Sequence, residues 1–273
     1  MTHIQIPAQR FPAERWLAWG LALAAAGLAL TMSAARAVPS HRAALWQVVR
    51  SCVADKHLTG LPYPCLAVDL TEGEERGHVV LRPPWANDMI LTPTRESVGV
   101  EDPFLQSPEA PNYFAEAWRA RTMIATANGR PPARDQIALV VNSRPVRGQD
   151  QLHIHIGCLV PEARRFLAGA APKLPLDQWR LIGPVVPHQP FWALRVRSAD
   201  LAGVEPFRLV RAELGGAVRD PADLVIAVVG ATVSGNDEIL ILASYERAPG
   251  SWWPVGSDNL IDQRCQGEAE ARG

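Results

Sequence analysis

The chain has 273 residues, 48% of them apolar and 20% charged, and a net charge of −1. That length holds one large domain or two small ones, and the composition is that of a globular protein with a real core. Near-neutral charge without a basic stripe argues against nucleic acid as a partner.

The first element in chain order departs from this average. From Trp16 to Ala35 the sequence WLAWGLALAAAGLALTMSAA carries no charge. Its roughly 20 residues match the apolar thickness of a bilayer when helical. Arg10 and Arg15 precede it, and Ala35-Arg36-Ala37 follows with the A-x-A pattern of a signal-peptidase site. The length favours an uncleaved signal anchor, and the A-x-A favours a cleaved signal peptide. A buried soluble helix is the third reading. Residues 1–37 are therefore set apart from a domain at 38–273, which both leading readings export. Trp16 and Trp19 suit the aromatic belt of a spanning helix.

All four cysteines, Cys52, Cys65, Cys158 and Cys265, lie beyond that segment. An even number in an exported chain predicts disulfides. Three pairings exist. Loop length favours Cys52 with Cys65, which leaves Cys158 for Cys265. No pair has the C-x-x-C spacing of a zinc ribbon or a thioredoxin-like motif.

Apolar residues at Ala44, Leu45, Val48, Val49 and Val53 predict a helix over HRAALWQVVRSCVAD. PCLAVDL and GHVVLRPP read as strands joined by the exposed turn TEGEERG, and NDMILTPT reads as a third strand. The Pro-rich EDPFLQSPEAPN is a loop. Asn112 then caps a helix expected to run to Gly129. Gln136–Asn142 and QLHIHIGCLV are the next strands, and PEARRFLAGAA is a helix with Pro161 in its first turn. Further on come the strand FWALRVRS, the helix VEPFRLVRAELGG, and the strands ADLVIAVVGATV and ILILASYER about the turn NDE. Strands and helices do not alternate strictly, so the expected class is α+β with a largely antiparallel sheet and flanking helices. The punctuation of 170–260 resembles that of the preceding half, which suggests two pseudo-repeated halves. The tail is irregular.

The stretch QDQLHIHIGC, from Gln149 to Cys158, carries the chemistry. In a strand Leu152, Ile154 and Ile156 point to one face, and Gln149, Gln151, His153, His155 and Gly157 to the other. Imidazoles buried there require partners. One reading is an exposed, His-rich strand face. A second is a metal clip, which lacks a third ligand at suggestive spacing, so no metal is expected. The third is a nucleophilic imidazole.

VVNSRPVRGQDQLHIHIG resembles the signature of the histidine-triad (HIT) superfamily: a strand ending in Asn142, a turn with Gly148-Gln149, then His153-Ile-His155-Ile-Gly157. With the apolar leader, SPEAPNYFAEAWRAR, NSR, HIHIGC, the four cysteines and QRCQ, the chain from about residue 45 onward resembles the bacterial CDP-diacylglycerol pyrophosphatase branch. The resemblance implies a HIT-like fold and attack by an imidazole nitrogen on the α-phosphorus of a nucleotide. A nucleotidyl-histidine forms and is hydrolysed, without a cofactor. For this branch the products are CMP and phosphatidate. Neutral imidazole is abundant near neutral pH and needs no general base.

Phosphoryl charge calls for donors, and Asn142, Gln149, Gln151 and His153 are the candidates. Arg144 and Arg147 either neutralise the pyrophosphate or are turn residues facing water. The family's nucleophile is the middle histidine. Counting from Asn142 and Gln149 makes His155 the attacker and puts Gly157 where the third histidine belongs. The other register makes His153 the attacker. His155 is preferred, because the flanking residues then fit without a gap.

The expected partner is a membrane phospholipid. A homodimer is compatible with the resemblance. The expected location is a single pass in the bacterial inner membrane with the domain on the periplasmic side, or full export after cleavage. Two other functions compete: nucleotidyl transfer to an acceptor other than water, and non-catalytic binding of nucleotide or lipid by a HIT-like fold that lacks its third histidine. Trp85 and Trp252-Trp253 are read as core in preference to lipid contacts. His41, His57, His78 and His188 are read as isolated loop or surface residues.

Overall fold

The computed structural model describes residues 41–84, 86, 88–124, 129–187, 189–245, 256–262 and 265. The leader at 1–37, Trp85, His188 and Trp252-Trp253 lie outside the described residues. Among those described, no helix is long and apolar enough to cross a membrane.

Ten strands among the described residues form one sheet: β1 (Ala67–Asp69), β2 (His78–Leu81), β3 (Met89–Pro93), β4 (Ile137–Val141), β5 (Ile154–Leu159), β6 (Trp179–Val186), β7 (Gln189–Val196), β8 (Leu224–Val233), β9 (Asn236–Tyr245) and β10 (Ile261–Asp262). Their spatial order is β1-β2-β3-β5-β4-β8-β9-β7-β6, with β10 adding to β5. Every pairing between these strands is antiparallel. The α+β class with an antiparallel sheet is therefore observed.

The order β2-β3-β5-β4 on one side of the β4–β8 junction is matched by β6-β7-β9-β8 on the other. A 3-10 turn leads into β4 at Arg134–Gln136 and into β8 at Pro221–Asp223. With the first residues of β4 and β8 aligned, Val140 opposite His155 corresponds to Ala227 opposite Leu242. Leu242 is fully buried.

Four longer helices cover the sheet: α1 (Ala44–Thr59), α2 (Tyr113–Ala120), α3 (Pro161–Ala170) and α4 (Pro206–Leu214). One face carries α2 and α4, whose Phe114, Trp118, Phe207 and Val210 share a core with the strand residues Leu139, Ile154, Ile156, Ile226 and Ile241. The other face carries two separate clusters. Leu45, Val49 and Val53 of α1 pack on Val79, Leu81 and Ile90, while Ala163 and Leu167 of α3 pack on Val140, Ala227 and Leu242. Disulfides join Cys52 to Cys65 and Cys158 to Cys265, the pairing that loop length favours. Both suit an oxidising, extracytoplasmic compartment.

Three local expectations need correction. Asn112 does cap α2, accepting from the Ala115 N–H at 3.0 Å, but α2 stops at Ala120 and a 3-10 turn follows over Arg121–Met123. Ile124 is then extended and buried, and the β-branched Thr122 and Ile124 weaken helix propensity there. β6 is a strand the pattern did not reveal, because its edge position leaves most of its residues exposed or half-exposed. The β8–β9 turn is Ser234-Gly235, with φ of 52° and 81°, rather than NDE. Positive φ at both positions matches the twist of a two-residue hairpin, so β9 begins at Asn236.

Gly230 on β8 shows how closely the layers meet. A methyl there would press on the Arg134 carbonyl and the Trp118 ring. Backbone cannot yield as a side chain does. Gly230→Ala is expected to cost about 1–3 kcal/mol, read as a lower urea midpoint at unchanged slope.

Candidate active site

β5 lies between β3 and β4. Ile154, Ile156 and Cys158 belong to the core under α2 and α4. His155, Gly157 and Leu159 face the opposite side. His155 pairs with Ile90 on β3, which belongs to the α1 cluster, and with Val140 on β4, which belongs to the α3 cluster. The histidine thus sits at the seam between two packed clusters. An open cleft of about 360 Å³ lies over it, lined by His153, His155, Asn142 and Gln149 and by apolar side chains that include Leu45, Val48 and Pro83.

The His155 ring is fixed at both nitrogens. Its Nδ1 lies 2.7 Å from Asp88 Oδ2, and its Nε2 lies 3.3 Å from Asn142 Nδ2. A carboxylate accepts only, so Nδ1 carries the proton and Nε2 presents its lone pair toward the cleft. Asn142 Nδ2 then donates to Nε2. The Asp88 side chain is 2% exposed and that of His155 is 17% exposed. The carboxylate is therefore shielded, while the imidazole remains reachable. Asp88 immediately precedes β3, and the β3–β5 register brings it beside Gly157.

Gly157 leaves room for this arrangement. A Cβ there would stand 2.5 Å from Ile261 Cγ2 and 3.4 Å from the Asp88 Cβ. The space beside Gly157 is filled by Ile261 of β10 and by the Asp88 side chain. Gly256, outside the sheet, approaches Asn142 closely, and a Cβ at that position would lie 2.9 Å from Asn142 Oδ1.

His153 is buried, with Nδ1 at 2.6 Å from the Gln151 carbonyl, to which it donates. Its ring meets that of His155 edge-on, with centroids 5.0 Å apart. Burial lowers its pKa to about 3, and the neighbouring His155 adds to that effect. His153 is accordingly a neutral imidazole across the physiological range.

The remaining expected site residues are engaged in the scaffold. Gln149 accepts from the Leu45 N–H at 2.8 Å and donates to the His41 carbonyl at 3.0 Å, which satisfies an orphan donor at the start of α1. Gln151 is fully buried, accepting from the Ser97 N–H and donating to the Pro93 and Arg95 carbonyls. Arg144 reaches away to Asp220 at 2.6 Å on the surface. Arg147 is neither a free cation nor a solvated turn residue. It is buried, with a bidentate contact to Glu101 at 2.7 Å and a further one to Asp150 at 3.1 Å. Asp150 also takes Arg42, and hydrogen bonds from that guanidinium hold its carboxyl down at about 2. The structure therefore brings together His155, His153 and Asn142, adds Asp88, and places Gln149 at the rim. Asp88 was not singled out in the sequence, although it lies within the stretch read as a strand.

A family model described as CDP-diacylglycerol pyrophosphatase matches residues 40–269. The chain is also 32% identical over 239 residues to a CDP-diacylglycerol pyrophosphatase of Yersinia pestis, covering 83% of this chain and 85% of that protein.

The neutral state of His153 makes stability depend on pH. In the unfolded chain the group titrates at 6.5, and in the fold at about 3. Between these values the unfolded chain binds the proton and the folded one does not, so stability is full above 6.5 and declines as pH falls toward 3. His153→Asn keeps a donor for the Gln151 carbonyl and removes this titration. The urea midpoint of the wild type should fall more than that of the variant between about pH 7.5 and about pH 5. The Asp150 contribution is lost only below its unfolded value of 3.8 and lies outside that interval.

Proposed function

The chain belongs to the CDP-diacylglycerol pyrophosphatase family and is by that membership a hydrolase of CDP-diacylglycerol, and we propose that it works through a nucleotidyl-histidine formed on His155. The observation that carries this reading is the buried Asp88 carboxylate on His155 Nδ1. It selects the tautomer whose Nε2 faces the cleft and opposes the positive charge the ring acquires when Nε2 bonds to phosphorus.

The steps balance without a general base. Nε2 attacks the phosphorus of the CMP moiety, and the bond to the bridging oxygen breaks. Phosphatidate departs with the electron pair, as a phosphate that needs no proton to leave. Water then attacks the same phosphorus, the N–P bond breaks, and its electron pair returns to Nε2 as CMP is released. The water proton passes to CMP or solvent. Asn142, which touches Nε2 in the unliganded site, is positioned to turn its amide donor to a phosphoryl oxygen once phosphorus takes that place. His153 has a different part. Its Nδ1 is tied to the backbone and it stays uncharged, so it orders the wall of the cleft and leaves the nucleophile unopposed by a second cation.

Mass spectrometry of enzyme quenched during turnover of CDP-diacylglycerol should find a cytidylyl adduct on His155. His155→Ala should remove the adduct and reduce turnover by at least roughly 1,000-fold, with the circular dichroism of the folded protein retained. Asp88→Asn should lower kcat by roughly 100-fold with the adduct still on His155. An adduct on His153, or normal turnover by His155→Ala, would establish the other register.

A further inference from the structure

The last two residues of α1 and its connection to β1, Leu58 to Leu66, read LTGLPYPCL and contain no charged residue. This is a built segment. Gly60, at φ 78°, ends α1 with its N–H on the Lys56 carbonyl at 3.0 Å. The Asp55 carboxylate accepts from the Thr59 hydroxyl and the Tyr63 N–H, each at 3.2 Å. The Cys52–Cys65 disulfide ties its far end to the buried side of the helix. A loop held in this way could turn its apolar groups inward. Instead Leu58, Leu61, Tyr63 and Leu66 are 85%, 62%, 74% and 44% exposed. Single exposed leucines are ordinary, but four large apolar side chains on one helix end and the braced loop that follows it are not.

We propose that this loop docks the enzyme on a lipid bilayer, with Leu58, Leu61, Tyr63 and Leu66 entering the headgroup layer. The inference rests on the chain's action on a lipid-borne substrate, and it does not depend on which histidine attacks. Charge favours a bilayer over a protein partner. Ahead of the loop, α1 carries the cations Arg50 and Lys56 and one acid, Asp55, whose carboxylate is already bonded to Thr59 and Tyr63, a balance that suits an anionic lipid surface. Glu74, from the β1–β2 turn, is taken up by His57 at 2.7 Å. Tyrosine with flanking leucines is the composition of a membrane interface. The same helix supplies Leu45 and Val48 to the cleft. The roughly ten residues of helix from Val48 to Leu58 span about 15 Å, so a docked loop brings the cleft near the layer where the pyrophosphate lies.

The test compares the full chain with its Leu61→Ser/Tyr63→Ser variant. One substrate is CDP-diacylglycerol in vesicles of phosphatidylethanolamine and phosphatidylglycerol. The other is a short-chain, water-soluble analogue below its micelle concentration. The variant should show a roughly 10-fold or greater rise in apparent KM on vesicles and unchanged turnover of the soluble analogue. A lipid with a photoreactive acyl chain should label the peptide spanning Leu58–Leu66 in the wild type, and the readout is taken from that peptide alone. Equal vesicle KM for both proteins, an unlabelled loop, or crosslinking of the loop to a second copy or to another protein would overturn the proposal. Failure of His155→Ala to lose turnover of the soluble analogue would overturn the histidine reading and leave the docking result standing.

Discussion

The alternation of a single strand constrains everything near the cleft. β5 must bury Ile154, Ile156 and Cys158 on one face, and that commits His155 and Gly157 to the other. A one-residue slip would drive the imidazole into the core under α2 and α4 and expose the isoleucines, so the register is strongly specified. The opposite face is not packed continuously. One cluster ends at Ile90 and another at Val140, and His155 is paired to both. The site is thus a gap between two cores on the same side of one sheet.

Within that gap the electrostatics are kept simple. Asp88 is the carboxylate bonded to His155, and the second imidazole is held neutral by burial. Arg147 and Asp150 of the β4–β5 connection are bonded in one network with Glu101 and with Arg42 ahead of α1. Breaking one partner of such a partly buried network leaves an uncompensated charge, so these residues fix the loop that ends at His153. The glutamines beside them do the same by neutral hydrogen bonds. Gln149 holds the start of α1 and Gln151 holds the chain after β3. The helix that walls the cleft and the strand that carries His155 are thereby locked to one another.

Much of this was legible in the sequence, and the remainder was hidden for physical reasons. Periodicity located α1, α3 and α4 and most strands, because a half-buried strand and an amphipathic helix write their burial directly into residue order. Strand alternation put the tandem histidines on one face, and Asn142 was legible only through the resemblance to the histidine-triad signature. Asp88 was not, since its role depends on a pairing between β3 and β5 separated by 67 residues, which no local pattern encodes. The two glutamines illustrate a different limit. An amide that would bind phosphate and one that satisfies a loop backbone look alike in sequence, and only the loop geometry distinguishes them. Arg144 and Arg147 are similar in this respect: both sit next to the motif, but each is directed to an acid elsewhere. Strand β6 escaped notice because an edge strand with Pro184 carries neither alternation nor a continuous apolar run.

The matched strand order across the β4–β8 junction places a buried leucine, Leu242, where the cleft side of the sheet has His155. On the mechanism proposed above, the two positions carry different constraints. Around His155 both chemistry and shape restrict what can be substituted. Around Leu242 shape alone does so, and any apolar set of similar volume will serve. Apolar replacements at Leu242 should therefore be tolerated where none at His155 would be, while one shared sheet holds the backbone on both sides of the junction.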